Sequence, residues 1–107
     1  MNSVSPLVCN MGVFTPAQRD SHIQKTNELI QSVRSVQEVE NGYEFTFPNE
    51  SELIIKLAEF ISNERLCCPF LKFSLNILSN SEPVSLILTG PIGTQEFLRA
   101  EFDGAIP

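Results

Sequence analysis

Asn41-Gly42 stands between two short runs of strand-forming residues, Val36 to Glu40 and Tyr43 to Phe47. Both residues tolerate the positive φ angles that a tight two-residue turn needs, so the pair predicts a β-hairpin. The second run alternates Tyr43, Phe45 and Phe47 with Glu44 and Thr46, the period of a strand with one covered side. A hairpin of this kind is marginal alone, so the rest of the chain has to supply more strands and a layer to cover the apolar side.

The flanking segments meet that need. Thr15-Pro16-Ala17-Gln18 reads as a helix start, with Thr as cap, Pro in the first turn and Gln closing a capping box. A helix follows to about Arg34, its apolar side running through Ile23, Leu29, Ile30 and Val33, with His22 and Thr26 on the same side. After Pro48, Asn49 and Glu52 repeat the capping pattern ahead of Leu53, Ile54, Leu57, Phe60 and Ile61, which predicts a second amphipathic helix. It should stop at Cys68, because Pro69 pushes the residue before it out of the α region. Phe70 to Leu78 and Val84 to Thr89 then read as paired strands, and Gln95 to Phe102 as a last short helix beginning near Thr94. The order is αββαββα. It predicts an α+β fold, a four-stranded, mostly antiparallel sheet with helices mainly on one face, in a single domain over 1–107 with an irregular segment at 1–14.

Composition narrows the function. In 107 residues, 42% are hydrophobic and 19% charged, a globular balance. Seven basic against thirteen acidic residues give a net charge of −6, which opposes binding to a phosphate backbone, so nucleic acid is not an expected partner. No apolar run approaches the roughly 18 residues of a membrane span. Met1 to Val8 lacks the basic and apolar regions of a secretion signal, so the expected location is the cytoplasm. Gly90-Pro91-Ile92-Gly93-Thr94 precedes a helix but lacks the Gly-Lys-Ser/Thr ending of a phosphate loop and reads as a turn.

The chemistry concentrates in Glu64-Arg65-Leu66-Cys67-Cys68-Pro69-Phe70. On a helix, Glu64 has Cys67 three and Cys68 four residues ahead, so its carboxylate flanks both thiols. The helix C-terminus is partly negative, and with Glu64 it disfavours a thiolate nucleophile while suiting a bound cation. Soft thiolate ligands favour zinc, copper(I) and other thiophilic ions. Two features weigh against a simple chelate: adjacent helical side chains diverge by about 100°, and zinc sites usually space their cysteines as C-x₂₋₄-C. A disulfide between neighbouring cysteines would be strained and easily reduced. Cys9 and His22 join the cluster only if the fold brings them there. The plainest alternative is that the thiols are packed core residues, and a Cys-His catalytic pair would have to use the single His22.

The chain resembles a group of small bacterial proteins, mostly without assigned activity, that carry an E-R-x-C-C-P-F-x-x-F signature followed by L-x-L-T-G-P-x-G-T-x-x-F-L. The matching residues are Glu64, Arg65, Cys67, Cys68, Pro69, Phe70 and Phe73, then Leu86, Leu88 to Pro91, Gly93, Thr94, Phe97 and Leu98. Cys9, Asn41-Gly42-Tyr43 and Phe47-Pro48 extend the likeness over most of the chain. The resemblance implies a shared fold and a shared cysteine site, and no reaction.

Three readings follow. The first is a non-enzymatic protein that binds a soft metal or metalloid through Cys67 and Cys68 with Cys9, Glu64 and His22 as further candidates. The second is a thiol-redox protein cycling Cys67 and Cys68 between dithiol and disulfide. The third is an interaction module with structural cysteines, forming a homodimer or meeting a partner through an open sheet face lined by Tyr43, Phe45 and Phe47.

Overall fold

The computed structural model describes residues 7–106. After a single 3₁₀ turn at Met11–Val13 come α1 (Pro16–Gln31), the hairpin β1 (Ser35–Val39) and β2 (Gly42–Phe47), α2 (Ser51–Cys67), the strands β3 (Lys72–Asn76) and β4 (Val84–Thr89), and α3 (Thr94–Glu101). The fold is α+β in the expected αββαββα order, and all strand pairs are antiparallel in the sequence β1-β2-β4-β3. The two hairpin units therefore meet through β2 and β4 at the centre, leaving β1 and β3 as edges. Of the segment expected to be irregular, 1–6 lies outside the described residues, and the rest holds only the 3₁₀ turn.

One face of the sheet carries the core. Tyr43, Phe45 and Phe47 of β2 and Val84, Leu86 and Leu88 of β4 are buried, and they cluster with Leu29 of α1, Leu57 and Phe60 of α2, and Leu98 and Phe102 of α3. The alternate residues Glu44, Thr46, Ser85, Ile87 and Thr89 are half-buried on the opposite face. There the Ser85 hydroxyl donates to Glu44 Oε2 at 2.6 Å, and Ser35 and Thr46 join through their hydroxyls at 2.5 Å. The aromatic stripe expected on an open face thus points into the core instead, because the helices cover that side.

Four local differences have physical causes. The hairpin turn is Glu40-Asn41, with Asn41 alone at positive φ (57°), while Gly42 already pairs with Val39. Gly42 is needed there because a Cβ would collide with the Leu88 carbonyl of the neighbouring strand. Asn49 does not cap α2; its side-chain amide donates to Ser79 O (2.5 Å) and Glu82 O (2.8 Å) and ties down the β3–β4 loop. Arg34 lies beyond α1, its N–H donating to Thr46 O at 2.7 Å. Ile23 is 45% exposed, whereas His22 takes the inward position at 5%.

Candidate functional site

The cysteines are positioned by how α2 ends. Cys67 is the last helical residue, and Cys68, held out of the helix by Pro69, adopts φ −122° and ψ 73°. The turn is closed by Cys68 N–H donating to Glu64 O (2.8 Å) and Leu71 N–H to Cys68 O (3.1 Å). Leaving the helix cancels the divergence expected of adjacent helical side chains: the two sulfurs stand 3.7 Å apart. Two thiolates on one tetrahedral ion, with metal–sulfur bonds of about 2.3 Å, would be separated by about 3.8 Å.

The N-terminal segment folds onto this corner. Asn10 N–H donates to Cys67 O at 2.7 Å, which seats Cys9 beside the pair, and Cys9 is joined to Cys68 by a disulfide while Cys67 is a free thiol. The disulfide is therefore not the one between neighbours. All three sulfurs lie within 4.8 Å of one another. Cys67 and Cys68 are fully buried and Cys9 partly so.

Around the sulfurs sit two carboxyl groups and one imidazole. Glu64, 2% exposed, accepts from His22 Nε2 at 2.8 Å through Oε1, which is also 3.7 Å from Cys67 Sγ, while its Oε2 lies 3.5 Å from Cys68 Sγ. The His22 ring is held between Phe14 and Phe60, with centroids at 5.4 and 5.8 Å. Glu101, at the end of α3, brings Oε2 to 3.5 Å from Cys9 Sγ, and its Oε1 is buried without a hydrogen-bond partner among the described residues.

This environment penalises negative charge. Burial first, then the Glu64 carboxylate, push the Cys67 thiol up to about 12. Burial, together with a hydrogen bond to Glu64 and its charge, pushes the Glu101 carboxyl up to about 9. No Lys or Arg takes part in the described contacts of the cluster: Arg65 is exposed, and Arg99 donates to the Tyr43 hydroxyl at 2.6 Å. An activated thiolate nucleophile is disfavoured here, and a cationic or proton-exchanging ligand is favoured.

The fold thus brings together all five residues singled out from the sequence, Cys9, His22, Glu64, Cys67 and Cys68. Three groupings could hold an ion: the three cysteines; Cys9, Cys68, Glu64 and Glu101; and His22, Glu64 and Cys67. Sequence reading missed Glu101. It lies three and four residues beyond Leu98 and Phe97 and one before Phe102, so its place on the apolar side of α3 was the available signal. Compared with known protein families, with curated proteins and with solved structures, the chain matches none.

Proposed function

We propose that the reduced protein is a non-enzymatic binder of one soft metal or metalloid ion, held by the sulfurs of Cys9, Cys67 and Cys68. The observation that carries the reading is the convergence of three sulfurs from two distant parts of the chain within 4.8 Å in a buried corner. Thiolates in that arrangement suit zinc, copper(I) or another thiophilic ion. Glu64, held by His22 at 2.8 Å, keeps its carboxylate against the Cys67 and Cys68 sulfurs and helps to fix their positions. Binding requires the Cys9–Cys68 disulfide to be reduced, which fits a reducing compartment such as the cytoplasm.

Native mass spectrometry tests this with and without a phosphine reductant, in the presence of zinc. The reduced chain should retain one ion, and the oxidised chain none. A Cys67→Ser/Cys68→Ser double variant that keeps the same stoichiometry would overturn the proposal.

The disulfide itself favours a second reading, a thiol-redox role in which Cys9 and Cys68 cycle and Cys67 stands 3.7 Å from Cys68 as an exchange partner. The high proton affinity of Cys67 slows such exchange at neutral pH. Rapid turnover of a small disulfide substrate by the metal-free protein would favour this role over ion binding.

A further inference from the structure

We infer that the ligand class this site is built for is a trivalent thiophilic metalloid, taken up as its neutral trihydroxide, of which arsenous and antimonous acids are the common examples. The inference rests on the three-thiol reading above and deepens it by naming the ligand.

The first support is the donor count. Three sulfurs converge, and the imidazole nitrogen grouped with them, His22 Nε2, is already committed to Glu64 at 2.8 Å. Three sulfurs complete the coordination of a trivalent metalloid. A tetrahedral zinc ion would need a fourth ligand, drawn from that hydrogen-bonded pair or from Glu101.

The second support is charge. Three thiolates around a monovalent ion carry two net negative charges, and around a divalent ion one, beside two carboxyl groups and with no Lys or Arg in the contacts of the described residues. Uncompensated charge in so buried a corner is penalised by the loss of its hydration. A trivalent centre with three thiolates carries none.

The chemistry of loading respects the same constraint. A small-molecule thiol first opens the disulfide: Cys9 and Cys68 each gain a hydrogen, and two molecules of the thiol are oxidised to their own disulfide. The trihydroxide then exchanges its three hydroxyl groups for the three thiols. Three metalloid–oxygen and three S–H bonds break, three metalloid–sulfur bonds and three O–H bonds form, and three waters leave. The metalloid keeps its oxidation state, and no proton has to be given up to solvent.

The third support is access. A cleft of about 130 Å³, lined by Met11, His22, Ile23, Thr26, Glu64 and Glu101, reaches the imidazole and the two carboxyl groups that flank the sulfurs. It is several times the roughly 10–15 Å³ that one water needs. A small neutral solute enters it without shedding an ionic hydration shell. Glu101, which lines the cleft, offers its carboxyl group to an incoming hydroxyl.

The test uses the full chain reduced with a phosphine, and sodium arsenite or zinc chloride as probes, separately and in competition. Native mass spectrometry should find one arsenic per chain replacing three hydrogens, with no hydroxyl retained. Arsenite should displace zinc, and single Cys9→Ser, Cys67→Ser and Cys68→Ser variants should each weaken arsenite binding by at least about tenfold, or 1.4 kcal/mol. Circular dichroism and a parallel Cys67→Ala variant separate lost binding from lost folding. Zinc held through all three cysteines, with arsenite unbound or retaining a hydroxyl, overturns the metalloid assignment and leaves the thiol-site reading intact. If neither probe is held by the folded, reduced chain, both readings fall.

Discussion

Reducing the Cys9–Cys68 bond should cost the protein much of its stability. The two residues are 59 apart in sequence, and a cross-link closing a loop of about 60 residues removes about 14 cal/mol/K from the unfolded chain, or about 4 kcal/mol at 25 °C. Small domains are stabilised by about 5–15 kcal/mol in total. For a chain of this length, 1 kcal/mol moves the melting temperature by about 4 °C or more, so reduction should lower it by about 15 °C or more. The assay is thermal unfolding of ion-free protein, followed by circular dichroism with and without a phosphine. Cys9→Ser should reproduce the drop, and reductant should then have no further effect. Cys67→Ser should keep the full sensitivity to reductant, because Cys67 is outside the bond. A reductant effect under about 3 °C would refute the staple, as would its disappearance in Cys67→Ser, which would mean the cross-link runs through the neighbour.

Other substitutions probe the surroundings. Glu64→Ala leaves the buried His22 ring without its acceptor and should cost about 1–3 kcal/mol in urea unfolding, while Glu64→Gln preserves an acceptor for His22 and should cost less, about 1 kcal/mol or under. Glu101 holds its proton up to about 9 in the folded protein against 4.5 for the ordinary carboxyl, so the folded state binds that proton more tightly. Its contribution is fully present below about pH 4.5 and is lost as pH rises through 9. The melting temperature of the disulfide form should therefore fall between pH 5 and 9, more steeply than in Glu101→Gln; equal slopes would exclude Glu101 as the cause. Gly42→Ala should lose about 1–3 kcal/mol, because the added Cβ meets the Leu88 backbone; a neutral effect in urea unfolding would contradict the close approach of β2 and β4.

Much of the fold was legible because its signals are local. The Thr15–Gln18 capping box is present with both hydrogen bonds, and Val84 to Thr89 is a strand over its full expected length. Where local signals erred, tertiary contacts had claimed the residue. Asn49 looked like a cap but holds the loop at 79–82, and Gly42 looked like a turn residue but is required by the neighbouring strand. The third strand was expected to run from Phe70 to Leu78 but spans Lys72–Asn76, and Ile77 and Leu78 are exposed past the end of an edge strand that pairs on one side only.

The candidate site was legible in its kernel alone. Glu64, Cys67 and Cys68 share one helix end, so spacing was enough to group them. The approach of Cys9 depends on a backbone bond from Asn10 to Cys67, and that of Glu101 on how α3 packs, neither of which is encoded within a short window. The convergence of the adjacent sulfurs ran against helical geometry. Pro69 held the explanation, since the residue that ends the helix also turns Cys68 toward its neighbour.

The most direct measurement of the central claim is X-ray absorption at the zinc edge of the reduced, zinc-loaded protein, which counts the sulfur atoms around the ion. The expected result is three sulfur neighbours at about 2.3 Å with one lighter oxygen or nitrogen neighbour. A shell with one sulfur or none would contradict a shared three-cysteine site.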